Sequence, residues 1–125
     1  MDKIISIDGK DVKFRATART PRLYRGIIGR DMIRDMNQLR KAYNEAVKSA
    51  KSEEDKQHIG FESFDLEIFE NVAYIMARHA NPDTIEDNPD DWLDGFNMFS
   101  IWEILPELLQ LWGMNEKTTS VAKKK

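Results

Sequence analysis

Few residues of the types that do chemistry stand at spacings that would let them do it. The chain of 125 residues has two histidines, His58 and His79, too far apart for the one-turn spacing of a helical metal site. His79 falls one turn past Ile75 on an apolar helical face, which reads as a half-buried core or helix-terminal histidine. The absence of cysteine removes disulfides, thiolate zinc sites, iron–sulfur clusters and thiol catalysis. Gly26-Ile27-Ile28-Gly29-Arg30 lacks both the third glycine and the Lys-Ser/Thr pair of a phosphate loop. No nucleophile elbow is present. The acidic run from Asp83 to Asp91 fails as an EF-hand loop. It puts Ile85 and Pro89 at ligand positions, Asn88 where glycine is required and Asp94 where a bidentate glutamate is required. Helix capping and a solvated loop account for the same residues. The expectation is a non-enzymatic protein with no catalytic residue, cofactor or metal.

Charge is distributed unevenly. Residues 1–60 carry 14 Lys/Arg against 9 Asp/Glu, whereas residues 61–125 carry 5 against 13. Arg15, Arg19, Arg22, Arg25 and Arg30 form a candidate charged interaction surface, and an arginine-rich stretch from Arg15 to Arg40 can track phosphates. Three features oppose a nucleic-acid reading. The isoelectric point is near 5.4, Tyr24 is the one aromatic among those arginines, and Asp31 and Asp35 interrupt them. Opposite charges at the two ends also favour attraction within or between copies of the chain. No apolar stretch approaches the roughly 18 residues of a membrane span. The start of the chain turns polar too quickly for a signal peptide, so the expectation is a cytosolic protein.

The elements that must position these residues are mostly helical. Ile5 and Ile7, then Val12, Phe14 and Ala16, alternate with polar residues around Asp8-Gly9-Lys10-Asp11, which predicts a hairpin over about 3–17. A tip at Gly9-Lys10 pairs Ile7 with Val12 and Ile5 with Phe14. It is preferred to a tip at Asp8-Gly9, which pairs Ile7 with Lys10. Thr20-Pro21 reads as a cap and first helical residue, with Gly26 and Gly29 breaking the short helix that follows. Met32, Met36, Leu39, Tyr43, Ala46 and Ala50 form one stripe along a helix of roughly five turns. Ser52-Glu53-Glu54-Asp55 opens a further short turn before Gly60. Another helix is predicted from about Ser63 to Ala80, with Phe64, Ile68, Phe69, Val72, Ile75 and Met76 inward. Asn88-Pro89-Asp90-Asp91 marks the next helix start: a cap, a proline and carboxylates in the first turn.

The segment from Met98 to Trp112 differs from the rest. Ten of its fifteen residues are large and apolar, leaving the polar ones an arc of only about 120°. The apolar arc that remains is about twice as wide as a surface helix needs. Pro106 predicts a kink or restart, and Gly113 the helix end. The ordinary reading is the central core helix of a small domain. The sharper one is that the surplus covers a partner, with Trp102, Leu105, Leu109 and Trp112 facing it. The expected fold is mainly α, a small helical domain with an N-terminal β-hairpin over residues 1–113. A flexible polar and basic tail follows over 114–125.

The order of features resembles the tail assembly chaperones of long-tailed (siphovirus-type) phages and prophages of Gram-positive bacteria. The likeness is carried by the Lys3–Lys10 hairpin phrase, by Arg15 to Arg25 followed by Gly29-Arg30-Asp31, and by the late Trp/Leu helix. A tail with Asn115, Thr118, Thr119 and terminal lysines completes it. The resemblance implies a chaperone that coats the hydrophobic helical tape measure protein in the cytoplasm of the bacterial host and is absent from the mature virion. It also implies a frameshifted longer form that recruits tail tube protein. Lys123-Lys124-Lys125 suits such a frameshift if its codons form an adenine tract. Self-association along the tape measure is a further expectation, through a head-to-tail contact that need not close.

Overall fold

The computed structural model describes residues 1–49 and 62–124, with side-chain detail in the last helix through Gly113. Its elements are β1 (Asp2–Ile7), β2 (Lys10–Arg15), α1 (Thr20–Ile27), α2 (Met32–Ser49), α3 (Ser63–Ala80), α4 (Pro89–Leu93) and α5 (Ile101–Lys124). This is the mainly helical domain with an N-terminal hairpin that patterning predicts. Ala50, the turn over 52–55, His58 and Gly60 lie outside the described residues.

The hairpin register is the one not preferred on sequence. Ile5 pairs with Val12, Ile7 with Lys10 and Lys3 with Phe14. Asp8 and Gly9 occupy the tip with φ of 53° and 77°, the double positive φ of a type I′ turn. Both registers leave Ile5, Ile7, Val12 and Phe14 on one face, because they differ by an even number of residues. Apolar alternation is therefore blind to the choice, and turn chemistry decides it. The two lysines set among the apolar residues also have uses. The Lys10 amine donates to the Gly95 carbonyl and lies 5.4 Å from the Phe96 ring centre. The Lys3 amine donates to Gln110 at 2.6 Å and pairs with Glu107. Asp8 accepts from the Asn97 N–H at 2.9 Å. A two-stranded hairpin is marginal alone, and these contacts pin its tip and edge to the C-terminal third.

The helix at the centre is α3, not α5. Val72 to Ala77 are six consecutive buried residues, with Ile68 and Phe69 buried before them. A helix apolar nearly all round belongs inside, and α3 packs against α1, α2, β2, α4 and α5. Its predicted bounds hold, but Phe64 does not point inward. It is 48% exposed, with the Arg30 guanidinium 5.1 Å from its ring centre. Asp65 takes the buried position instead, accepting from the Glu62 N–H at 3.2 Å and from Gln38 at 3.1 Å. In α2, Met32, Met36, Leu39 and Ala46 are buried as the stripe predicts. Asp31 caps this helix by accepting from the Ile33 N–H at 3.0 Å.

Asn88 caps α4 as expected, accepting from the Asp91 N–H at 2.9 Å. The helix lasts one turn, after which the chain folds back so that aromatic rings surround Trp92. The Phe96 and Phe99 centroids are each 5.3 Å away, Tyr74 is at 5.8 Å and Phe14 at 6.5 Å. All four are edge-on, the preferred geometry of ring quadrupoles. The last helix runs unbroken through Pro106 and on past Gly113 to Lys124, rather than restarting at one or ending at the other. Gly113 lacks the positive φ of a helix-ending glycine.

Trp92 joins the hairpin, α3 and the segment before α5. Trp92→Ala should therefore lower unfolding stability by about 3–5 kcal/mol, measured by urea denaturation. The near-ultraviolet circular dichroism of the ring cluster should collapse with it.

Candidate interaction surface

The arginine-rich region is organised by one buried carboxylate. Asp35, on the first turn of α2, is 2% exposed. Its Oδ2 accepts from the Tyr24 hydroxyl at 2.7 Å and from Arg30 Nε at 2.8 Å, while Oδ1 accepts from Arg30 Nη2 at 2.8 Å. The two-pronged guanidinium contact is the strong form of such a pair. Burial raises the Asp35 pKa, but the bonds from Arg30 and Tyr24 outweigh it and hold the carboxyl below its ordinary range. The Tyr24 phenol is pushed upward, first by its own burial and then by Asp35. The turn between the helices closes at Gly29, whose φ of 83° lets its N–H reach the Arg25 carbonyl at 3.0 Å. Gly26 sits within the helix without breaking it.

The five predicted arginines divide into two groups. Arg15 and Arg30 are engaged, Arg15 forking onto Asp2 at 2.8 and 3.0 Å and Arg30 onto Asp35. Arg19, Arg22 and Arg25 are exposed, and no described carboxylate lies within ion-pair distance of them. They recur every three residues, so they follow one outward row along α1.

Beside this row runs a groove of about 360 Å³. Leu23, Ile27 and Ile75 supply apolar lining, and Arg15, Arg19, Arg78 and His79 supply cationic or polar lining. Arg78 is held in place, donating to the Tyr74 hydroxyl at 2.8 Å and the Asp87 carbonyl at 3.0 Å. His79 Nδ1 lies 3.2 Å from the Thr20 hydroxyl. Thr20 is the first residue of α1 rather than its cap, and its oxygen also accepts from the Thr17 N–H at 2.8 Å. Burial, then Arg15 and Arg19, push the His79 pKa down and favour the neutral ring. Of the groove residues, only Arg15 and Arg19 stand out in the sequence as an interaction surface. Arg19, Leu23 and Ile27 at one-turn spacing form a readable stripe, but nothing local brings Ile75, Arg78 and His79 to face it.

The predicted C-terminal contact residues occupy one side of α5, graded from core to margin. Leu105 and Trp112 are buried in the domain itself, at 0% and 3% exposure. Trp102 and Leu109 are half-buried and packed at the edge of the core, with the Trp102 ring 5.9 Å from that of Tyr43. Much of the apolar surplus is thus consumed internally, since Ile101, Ile104, Leu108 and Leu111 are buried too. The acidic loop is anchored by the Tyr74 hydroxyl, which donates to the Glu86 carbonyl. No grouping of three or more His, Cys, Asp or Glu able to hold a metal occurs among the described residues. Among them, no helix is long and apolar enough to cross a membrane.

The Asp35 network yields a signed pH prediction. A carboxyl whose native pKa is depressed contributes full stability above its unfolded pKa and loses it as pH falls through the native one. The stability difference between wild type and Asp35→Asn should therefore be largest above about pH 4 and shrink below it. Tyr24→Phe, which removes a single donor and leaves the Arg30 fork, should cost about 1 kcal/mol. Thermal unfolding across pH checks both.

No family model, curated protein or solved structure matches the chain.

Proposed function

We propose that this chain is a non-enzymatic assembly chaperone that holds a hydrophobic, helical client, as the resemblance to phage tail assembly chaperones implies. The client under that reading is the tape measure protein. The observation that carries it is the set of large apolar side chains left outside a well-packed core. Ile27 on α1, Ile33 on α2 and Phe64 and Leu66 on α3 are exposed, and Trp102 and Leu109 form the half-open margin of α5. A long helical client touches its chaperone at several such points, where a small-molecule site would gather them into one pocket. The acidic loop and the arginine row keep such a surface hydrated. Host-cytoplasmic action, recruitment of tail tube protein by a longer form and absence from the virion belong to the same proposal.

Co-expression with a tape measure protein tests the reading. The wild-type chain should keep the client soluble and co-purify with it. Ile33→Asp, at a side chain 53% exposed, and the pair Trp102→Asp with Leu109→Asp should lose the client. Helical circular dichroism should survive at least in the first variant. Leu105→Asp places a charge in the core and should unfold the domain instead. An insoluble client beside a folded wild-type chain overturns the proposal.

A further inference from the structure

We propose that the groove between α1 and the C-terminal end of α3 binds an acidic amphipathic helix, one whose apolar stripe is flanked by carboxylates. The argument starts from charge. Residues 12–30 contain six Lys/Arg and no Asp or Glu. After folding, Arg15 and Arg30 have partners while Arg19, Arg22 and Arg25 keep none among the described carboxylates. Among the described residues, no carboxylate lines the groove. With Asp2 already matched to Arg15, Arg19 and its neighbours in the row leave a cationic excess beside the groove, which in a chain whose net charge is −3 selects for an anionic occupant.

Shape and polarity then narrow the occupant. Leu23 and Ile27 present aliphatic surface beside the cationic residues, over a floor closed by the buried Ile75, and Ile27 is 41% exposed without a covering element. Leu23 and Ile27 are one turn apart on α1, as are Ile75 and His79 on α3. The groove is therefore a trough between two helical ridges, the shape that accepts the apolar stripe of a third helix. Phosphate tracking gains nothing from an aliphatic floor, and base stacking needs an aromatic that this surface lacks, since Tyr24 is buried. Arg19, which lines the groove, is placed for a carboxylate along one side of such a helix, and Arg22 is exposed next in the same row. The inference rests on the chaperone reading for the identity of the client, and on the groove alone for its chemistry.

A fluorescein-labelled synthetic helix with leucines at one-turn spacing and flanking glutamates serves as the probe, read by anisotropy with the full chain. The wild type should bind it saturably, and about 0.5 M salt should weaken binding markedly, because exposed charge pairs are screened. The same peptide with lysine in place of glutamate should bind at least about tenfold more weakly. Arg19→Glu and Ile27→Asp, both at exposed positions, should each weaken the glutamate peptide by about tenfold while circular dichroism stays native. Equal binding of the two peptides, no binding by the wild type, or unchanged binding by both variants overturns the inference. So does binding of a single-stranded oligonucleotide in preference to the peptide. Failure here is separable from failure of the chaperone reading. A wild type that solubilises the tape measure protein but does not bind the peptide sinks only this inference, while a wild type that binds the peptide but leaves the client insoluble sinks only the other.

Discussion

A carboxylate taken out of water must have its oxygens occupied, and Asp35 imposes that requirement on everything around it. Tyr24 reaches it from α1 and Arg30 from the turn after Gly29, so three short-range elements converge on one side chain. The angle between α1 and α2 follows from satisfying it. So does the outward row of Arg19, Arg22 and Arg25, since the face of α1 that carries Tyr24 is the one committed inward. The groove beside that row therefore depends on a buried ionic network that the groove itself does not contain.

The second organising feature is the central position of α3. Its near-continuous burial lets the hairpin, α1, α2, α4 and α5 all pack on one helix. Ala73 and Ala77 are fully buried within it. The last helix, more apolar by composition than a surface helix needs, docks at the edge of this arrangement and buries six large side chains there. What remains for a partner on α5 is a margin, Trp102 and Leu109, rather than a whole face.

Charge asymmetry survives folding only in part. Lys3 with Glu107, Arg15 with Asp2 and Arg30 with Asp35 pair basic residues with acidic ones from near or far in sequence. The two exposed pairs, Lys3 with Glu107 and Arg15 with Asp2, contribute little stability, and Arg19, Arg22 and Arg25 are among the described cations left without a carboxylate within ion-pair distance. Local cationic character on an acidic protein is thus a product of which pairs tertiary packing allows.

Local information determined most of the element plan. Asn88-Pro89 and its carboxylates start a helix by capping alone, the stripe of α2 is legible from its period, and the Ser63–Ala80 bounds emerge from apolar spacing ended by Asn81-Pro82. These depend on hydrogen bonds and side chains within a few residues of one another. The tertiary structure decided what local patterns cannot rank. Hairpin registers differing by two residues present identical faces, so the Asp8-Gly9 turn and the distant partners of Lys3 and Lys10 select between them. Apolar width on α5 tells how much surface must be covered, but whether the chain or a partner covers it depends on neighbours far away in sequence. The same holds for Phe64, displaced outward by a buried Asp65, and for a groove whose two walls lie about fifty residues apart, joined only by the packing of α1 against α3.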